Sequence, residues 1–372
     1  NCLKNAAKQC YLKDQDGDFI ISGYPWGVVL ARNTFMSLPG ATLAIDHKAD
    51  FESIMETASK ELVHYMKTGE LSRRISGIDL PDVPLWAIWA IQQYAKMIDT
   101  DEARTRYMQL ISQIIDYIID GGHPNLRVEE NGLISTIGSS NPVSWMNSTL
   151  HGHPVIPRTG YLVEFNALWY NALMFGASLA EGDKNLESRR EQWLEYAELM
   201  KHSFVDTFLN DYGYLYDYVN GSYADPSVRP NMAVAIGLDY SPLDRRQRKG
   251  VLDVVTRELL TPKGLRTLSP KSYGYRPFYL GSPEERELAL HQGPARPWLM
   301  GFYADAYLRV FGMSGVSYID RMLIGFEDEM SQGCIGSLSQ LYDGNPPFTG
   351  RGAISHATNV AEVLRTLRTL KK

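Results

Sequence analysis

The sequence is poor in cysteine and has no long apolar run. Its three cysteines are Cys2, Cys10 and Cys334, and their uneven spacing predicts neither a disulfide framework nor a zinc site. Reduced thiols in a cytoplasm are the simplest interpretation of so few cysteines. Because no stretch reaches the roughly 18 apolar residues that a membrane-spanning helix needs, we expect no membrane partner.

Basic patches and cofactor motifs are also absent. The net charge is −6, the isoelectric point is about 5.8, and no basic stripe with interleaved aromatics occurs, so nucleic acid is not an expected partner. There is no glycine-rich nucleotide loop and no nucleophile elbow. His151 and His153 have no second pair of metal ligands beside them. We therefore expect no cofactor and no metal site.

Helical periodicity is the strongest positive signal, because apolar residues recur at three- and four-residue spacing. Residues 212–219 instead alternate in the manner of a β-hairpin, and no βαβ alternation is visible. The predicted helices cover 35–45, 50–69, 82–99, 101–122, 163–182, 187–208, 229–237, 243–259, 284–311, 316–329 and 353–370.

The connections between these helices alternate between short and long, which is typical of an α/α toroid. In that architecture inner helices form a barrel and outer helices wrap around it. We predict one all-α domain over residues 1–372, with long loops building a cleft at one end. An irregular helical bundle is the alternative that periodicity leaves open.

The loops combine tryptophans with amides, arginines and histidines. Trp26, Trp145, Trp169 and Trp298 each have glycine, proline or polar neighbours in the sequence. Aromatic faces stack on sugar rings while amides and guanidinium groups bond hydroxyls, so this composition favours a neutral polyhydroxylated ligand over a phosphate. The alternative for any one tryptophan is that it packs between its loop and the hydrophobic core. Glycoside hydrolysis by two carboxylates is the leading chemistry to consider.

Several collinear segments resemble one enzyme family, and they span nearly the whole chain. They are GYPWGVVLARNTFMSLPG (23–40), DVPLWAIWAI (82–91), WMNSTLHGHPVIPRTGYLVEFNALWYNAL (145–173), VRPNMAVAIGL (228–238), HQGPARPWLMGFYADAYLRVFG (291–312) and GCIGSLSQLYDGNPPFTGRGAISHATNVAEVLR (333–365). These segments look like the amylo-α-1,6-glucosidase domain of glycogen debranching enzymes. The resemblance implies an (α/α)6 barrel related to glucoamylases, with an α-glucan or glycogen-derived oligosaccharide as ligand. It also implies a preceding β-rich domain, which agrees with a start at Asn1.

The resemblance further implies inverting hydrolysis of an α-1,6-linked glucose at a glycogen branch. Such a site needs a carboxylic acid and a carboxylate base roughly 6.5–9.5 Å apart, with a water between them. This sequence departs from the family pattern at both places. Asn147 stands where the family has the aspartate expected as the acid, and Gln340 stands where it has the glutamate expected as the base.

Neighbouring positions depart from the family pattern as well. The Gly-Arg-Asp run that the resemblance assigns to the terminal glucose reads Ala31-Arg32-Asn33. Arg296 replaces a usual tryptophan, and His356 and Thr358 replace usual glutamine and tryptophan. Arg32 and Asn33 remain candidate ligands.

Carboxamides cannot perform the two missing roles, because they have no proton to donate near neutral pH and no negative charge. Each lost acid or base role costs roughly 10²–10⁴ in rate. Carboxamides are nevertheless nearly isosteric with carboxylates and bond hydroxyls well, so such a cleft still suits sugar binding.

Other polar residues are candidates with structural alternatives. Asp82 and Glu164 match family positions that look like sugar ligands, yet an N-cap and a helix-dipole role are equally available to them. Glu287 is either a relocated carboxylate or part of a solvated helix face. Asp343 is either a ligand or the start of an Asx turn. The remaining candidates, for which loop bracing or burial is the alternative to hydroxyl binding, are Arg158, Arg229, Asn231, His291 and Gln292.

Three hypotheses follow from these residues. The chain is an active glycoside hydrolase with relocated carboxylates, an α-glucan-binding pseudoenzyme, or a structural module for an N-terminal partner. The chemistry of Asn147 and Gln340 favours binding over hydrolysis.

Overall fold

The computed structural model of the protein describes residues 1–137 and 141–371. Helices dominate it. Within these ranges the helices are α1 Cys2–Gln9, α2 Ala31–Ala41, α3 Lys48–Thr68, α4 Val83–Met97, α5 Thr100–Ile119, α6 Val163–Leu179, α7 Glu187–Phe208, α8 Asn231–Gly237, α9 Arg245–Leu259, α10 Pro283–Ala289, α11 Leu299–Phe311, α12 Val316–Ile324 and α13 Ala357–Leu370. None of the described helices is both long enough and apolar enough to cross a lipid bilayer.

Most predicted helices are found close to their predicted bounds, but one prediction is wrong. The helix expected over 284–311 is two helices, α10 and α11, separated by residues 290–298. Gly293, Pro294 and Pro297 lie in that gap, and proline removes a helical hydrogen bond and clashes with the preceding turn. The break matters because the gap carries His291 and Arg296.

Smaller differences lie at helix starts. Helix α2 begins at Ala31, which is earlier than predicted, so Arg32 and Asn33 are helical rather than in a loop. Helix α13 begins at Ala357, later than predicted, because Ser355 and His356 pair with an earlier strand. Helix α1 was not predicted at all.

Six helices contact one another in a closed cycle. Along this cycle α2 packs on α4, α4 on α6, α6 on α8, α8 on α11, α11 on α13, and α13 back on α2. Helices α3, α5, α7, α9 and α12 each pack against a member of the cycle, as does α1. The cycle therefore forms an inner layer, and the other helices lie outside it.

Burial along the helices agrees with this two-layer arrangement. In the inner helix α4, all side chains from Val83 to Ala95 are buried, as expected for a helix enclosed on every side. The outer helix α7 buries a stripe consisting of Trp193, Ala197, Met200, Phe204 and Phe208, and its remaining surface faces solvent. That spacing of three and four residues is the amphipathic pattern of a helix packed on one side only.

Two glycines allow inner helices to approach closely. A Cβ at Gly40 of α2 would lie 1.8 Å from the carbonyl oxygen of Ala361 in α13. A Cβ at Gly237, the last residue of α8, would lie 2.4 Å from the carbonyl oxygen of Phe302 in α11. No side chain fits at either separation, so both contacts in the cycle require glycine.

Short strands connect the helices and carry the loops. They are β1 Tyr11–Asp14, β2 Gly17–Ile20, β3 Gly23–Tyr24, β4 Leu126–Val128, β5 Ile134–Thr136, β6 Thr149–Leu150, β7 His153–Pro154, β8 Tyr161–Leu162, β9 Tyr218–Asn220, β10 Tyr223–Ala224, β11 Leu260–Thr261, β12 Gly264–Arg266, β13 Ala295–Arg296, β14 Leu341–Tyr342, β15 Gly350–Arg351 and β16 Ser355–His356. The predicted hairpin at 212–219 is displaced toward the C-terminus, since β9 pairs with β10.

One of these sheets brings distant residues together. Strands β11 to β15 form a five-stranded antiparallel sheet in sequence order. Ala295 of β13 is paired with Tyr342 of β14. Arg296 on β13 and Gln340, which immediately precedes β14, are thus held on neighbouring strands.

Candidate functional site

A pocket of about 170 Å³ lies where the starts of α2, α11 and α13 meet the loops, and we call it the central pocket. Its lining residues are Leu30, Ala31, Arg32, Asn33, Met36, Ser76, Leu80, Trp145, Asn147, Leu290, His291, Arg296, Trp298, Gln340, His356 and Thr358. The set mixes aromatic, amide and cationic side chains.

Asn147 and Gln340 both line the central pocket, although they are far apart in the sequence. Asn147 is exposed and lies just before β6, and its Oδ1 accepts a hydrogen bond from His291 Nε2 at 3.3 Å. Gln340 is held by Ala353, whose backbone N–H donates to the Gln340 Oε1 at 3.0 Å. The structure therefore places both amide side chains at one cavity.

His291 is neutral and has a defined tautomer in this setting. Arg296 Nη2 lies 3.4 Å from His291 Nδ1, and arginine can only donate, so Nδ1 accepts and the proton resides on Nε2. Burial, reinforced by the charges of Arg296, Arg229, Arg32 and Arg158, holds the pKa of His291 well below its usual value. The histidine thus donates to Asn147 and cannot serve as a cationic acid at neutral pH.

Arg296 is buried at the wall of the central pocket, with 6% of its surface exposed. Its donors reach the carbonyl oxygens of Gln340 at 3.4 Å and Leu290 at 3.2 Å. Burial lowers the pKa of this guanidinium to about 10. The guanidinium carbon also lies 6.0 Å from the centre of the Trp145 ring.

No aspartate or glutamate lines the central pocket among the residues that the structure describes. Gly138, Ser139, Ser140 and Lys372, which lie outside the described ranges, have no acidic side chain either. The carboxylates that the sequence offered as candidates are elsewhere, and each is engaged in other contacts.

Asp82 is the buried partner of Arg32. Arg32 donates from Nε to Asp82 Oδ2 at 2.6 Å and from Nη2 to Oδ1 at 2.8 Å. The Trp86 indole N–H also donates to Asp82 Oδ2, at 3.0 Å. Asp82 is 1% exposed, is absent from the pocket lining and anchors Arg32, so its role as a sugar ligand stays a prediction.

Glu164 belongs to a buried ionic cluster that we call the Arg158 cluster, which consists of Arg158, Glu164 and Asp217. Arg158 donates to both Glu164 oxygens, at 2.5 and 2.6 Å, and from Nε to Asp217 Oδ2 at 2.7 Å. The two carboxylates raise the pKa of Arg158 against the effect of burial, so the guanidinium stays charged. The cluster lies outside the lining of the central pocket and braces loops, and the role of Arg158 and Glu164 as sugar ligands stays a prediction.

Asn231 joins this cluster to the pocket wall. Its Nδ2 donates to Asp217 Oδ1 at 2.7 Å, and its Oδ1 accepts from the Trp145 indole N–H at 2.7 Å. Arg229 donates to the carbonyl oxygen of His291 at 2.9 Å and to Gln292 Oε1 at 2.8 Å. These three expected ligands, Asn231, Arg229 and Gln292, thus position the residues around them and do not line the pocket.

The last two acidic candidates also lie outside the central pocket. Asp343 is buried, accepts from Arg351 at 2.9 and 3.0 Å, and accepts from the backbone N–H of Tyr279 at 2.9 Å. It therefore holds a loop together. Glu287 on α10 is half-buried, and its Oε2 accepts from the backbone N–H of Thr149 at 3.3 Å, which places it beside the loop that carries Asn147.

The four tryptophans separate into different environments. Trp145 and Trp298 line the central pocket with their ring centres 5.3 Å apart and their planes at 90°. Trp26 is 64% exposed and lies outside the lining. Trp169 is fully buried and donates to the carbonyl oxygen of Gly132 at 3.3 Å, so it cannot stack on a sugar and that expectation is wrong.

The structure also adds residues to the site that sequence reasoning left outside it. Three lining residues were identified in the sequence only as departures from the family pattern, namely Arg296, His356 and Thr358. Asp217 carried no sequence signal, because it lies in a tyrosine-rich stretch without a motif. Within the described residues, no three His, Cys, Asp or Glu side chains lie close enough to hold a metal ion.

Comparison with known proteins shows the family of this chain. The family model described as amylo-alpha-1,6-glucosidase matches residues 5–365. The chain belongs to the amylo-alpha-1,6-glucosidase family. The glycogen debranching enzyme of Saccharomyces cerevisiae is 26% identical over 190 residues, which cover 42% of this chain and 12% of that enzyme. The match therefore spans only a small part of the length of the yeast relative.

Two solved structures from Thermus thermophilus share the fold. The GH63 mannosylglycerate hydrolase, in complex with Tris and D-glycerate, matches with a TM-score of 0.63 and 14% identity, covering 99% of this chain and 100% of that one. An uncharacterized conserved protein matches with a TM-score of 0.63 and 15% identity, covering 99% of both chains. At such low identity these likenesses show the fold alone.

Proposed function

We propose that this member of the amylo-alpha-1,6-glucosidase family is a saccharide-binding protein that holds an α-glucan-like oligosaccharide in an (α/α)6 barrel without cleaving it efficiently. One observation carries the proposal: the central pocket presents Asn147 and Gln340 and, among described residues, no carboxylate. The closed cycle of six helices with others packed outside it supports the barrel.

The central pocket has the features that a sugar site needs. Trp145 and Trp298 supply apolar faces, and the side chains of Asn33, Asn147 and Gln340 supply donors and acceptors at the same cavity. Asn147 is oriented by His291, and Gln340 is oriented by the backbone of Ala353. Preorganised polar groups of this kind recognise hydroxyls at low entropic cost.

The same pocket lacks what hydrolysis needs. Neither amide can protonate a leaving oxygen or activate water, and the neutral His291 has its one proton directed to Asn147. Each missing acid or base role is worth roughly 10²–10⁴ in rate. Because the two losses combine, we expect turnover to fall by roughly 10⁴–10⁸, which leaves too little glucose release to measure.

Calorimetry with maltooligosaccharides and panose tests binding. We expect saturable binding, weakened roughly twofold to tenfold in Asn33→Ala, since one hydrogen bond contributes about 0.5–1.5 kcal/mol. Asn220→Ala, at an exposed position on β9, is the matched control and should bind like the parent. Absence of binding by a folded parent would contradict the proposal and favour a purely structural module.

Hydrolysis through a relocated carboxylate is the second candidate, and the position of Glu287 favours it. This carboxylate contacts the backbone of Thr149, two residues beyond Asn147. If Glu287 took over the acid role, the parent would release glucose from a branched dextrin and Glu287→Gln would not. Equal release by both proteins would exclude Glu287 from the reaction.

A further inference from the structure

Buried arginines show how this chain compensates buried charge. The structure buries five arginines among its described residues: Arg32, Arg158, Arg229, Arg296 and Arg365. Four of them lie within 4.0 Å of a carboxylate oxygen: Arg32 beside Asp82, Arg158 beside Glu164 and Asp217, Arg229 beside Asp217, and Arg365 beside Glu362 and Asp305. In the described part of the chain, Arg296 is the exception.

Arg296 has only neutral partners. Its donors reach two backbone carbonyl oxygens and the Nδ1 of the neutral His291, at 3.2–3.4 Å, and its buried Nε has no hydrogen-bond partner. A guanidinium is not deprotonated in proteins, so it remains a cation here. A buried cation without a counter-charge is costly, and such groups are normally paired.

A second unpartnered polar atom lines the same cavity. His356 Nδ1 is buried and makes no hydrogen bond. Burial, followed by the charge of Arg296, lowers the pKa of His356 to about 3. Burial, followed by the charges of Arg296, Arg229, Arg32 and Arg158, lowers the pKa of His291, and of these four arginines only Arg296 lacks a carboxylate within 4.0 Å. Arg296 therefore gives the central pocket one positive charge that the described lining residues do not balance.

We propose that the central pocket takes an acidic saccharide, whose carboxylate or phosphate group becomes the counter-charge of Arg296. This inference rests on the proposed saccharide-binding function. It adds that the bound sugar carries an anionic group. The cavity wall already combines this cation with aromatic and amide groups of the kind that recognise sugar rings, namely Trp145, Trp298 and Gln340. A charge-assisted bond to an oxyanion is about twice as strong as a neutral one, and it forms here in an enclosed site.

Matched ligands test the proposal by calorimetry at fixed pH and ionic strength. Glucose, glucuronate and glucose 6-phosphate share a ring and differ in charge, and inorganic phosphate supplies the anion without the sugar. We expect the preferred acidic sugar to bind at least about tenfold more tightly than glucose, since a hydrogen bond to a charged group contributes about 1.5–3 kcal/mol. Whichever of the two acidic sugars binds more tightly identifies the anion as a carboxylate or a phosphate.

Two substitutions of Arg296 test whether its positive charge causes the preference for an acidic sugar. Arg296→Met should reduce the preference for the acidic sugar to less than about twofold, and Arg296→Lys should retain part of it, because both are unbranched side chains but only lysine keeps the cation. Arg73→Met, at an exposed position, is the matched control and should preserve the preference. Thermal unfolding of each variant establishes that it is folded before titration.

The outcomes separate the two proposals. Equal binding of glucose and both acidic sugars, unaltered in Arg296→Met, overturns the anionic ligand and leaves saccharide binding standing. Binding of inorganic phosphate as tight as that of glucose 6-phosphate, lost in Arg296→Met, overturns the acidic saccharide, because the sugar ring then adds nothing to a site for small anions. Absence of binding by every probe to the folded parent overturns both.

Discussion

The Arg158 cluster and the central pocket each bury an arginine, but they treat its charge in opposite ways. Arg158 is surrounded by Glu164 and Asp217 at 2.5–2.7 Å. Arg296 contacts only neutral atoms at 3.2 Å or more. A charge that serves the fold is balanced by the chain itself, whereas a charge left unbalanced at a cavity wall is available to a ligand.

The comparison also shows how the buried carboxylates near Arg158 and Arg32 are engaged. Glu164 and Asp217 form ion pairs with Arg158, and Asp82 forms an ion pair with Arg32. A carboxylate held in a buried ion pair has no free oxygen directed at a substrate. The residues that do reach the central pocket, Asn147 and Gln340, have no charge to contribute.

Replacing Arg158 tests whether the ion pairs of the Arg158 cluster stabilise the fold. We expect the largest effect on the free energy of unfolding here. Arg158→Met leaves Glu164 and Asp217 buried without their partner, so we expect the free energy of unfolding to fall by about 3–5 kcal/mol. Urea denaturation followed by circular dichroism measures this loss. A decrease below about 1 kcal/mol would show that the cluster does not stabilise the fold.

Acid sensitivity follows from the buried neutral histidines. The pKa of His291 is well below its usual value of about 6.5, and the pKa of His356 is about 3. Below pH ~6.5 the unfolded chain therefore binds protons that the folded chain excludes, so stability is highest above this pH and falls as pH decreases.

The slope of the unfolding free energy against pH shows which histidines cause the loss of stability in acid. Each contributes at most ~1.4 kcal/mol per pH unit, so His356→Asn should flatten the fall in unfolding free energy between pH 6 and pH 4. His202→Asn, on the exposed face of α7, is the matched control. An unchanged slope in His356→Asn would contradict the assignment of a neutral buried imidazole.

Replacing Arg296 tests whether a buried arginine without a carboxylate partner stabilises the fold. We expect the smallest effect on stability here. Arg296→Met removes a buried charge that has no carboxylate, and this gain offsets the lost bonds to Gln340 and Leu290. We expect the free energy of unfolding to change by less than about 1 kcal/mol, far less than in Arg158→Met. A loss as large as that of Arg158→Met would mean that Arg296 serves the fold.

The fold was more predictable than the site because helical periodicity is a local signal. The helix at 187–208 was predicted at its observed bounds, since a stripe such as Trp193, Ala197 and Met200 is visible in the sequence alone. The prediction failed at 290–298, where Gly293, Pro294 and Pro297 interrupt a continuing apolar pattern. Breaks of this kind depend on the partners that the freed backbone finds in space.

The roles of polar residues depended on contacts that the sequence does not encode locally. Asp82 is paired with a side chain 50 positions away, and Asp217 with one 59 positions away. Trp169 has a polar neighbourhood in sequence yet is fully buried. Asn147 and Gln340 were identified only through the family pattern, and the structure places both at one pocket.

Glucose release from phosphorylase-limit dextrin tests the central claim most directly. The chain and its Asn147→Asp/Gln340→Glu variant are assayed side by side against a protein-free blank. If the pocket binds without cleaving because its carboxylates are missing, the parent releases no glucose above the blank and the variant gains measurable release. Steady release by the parent would contradict the account, and loss of that release in Glu287→Gln would assign the reaction to Glu287.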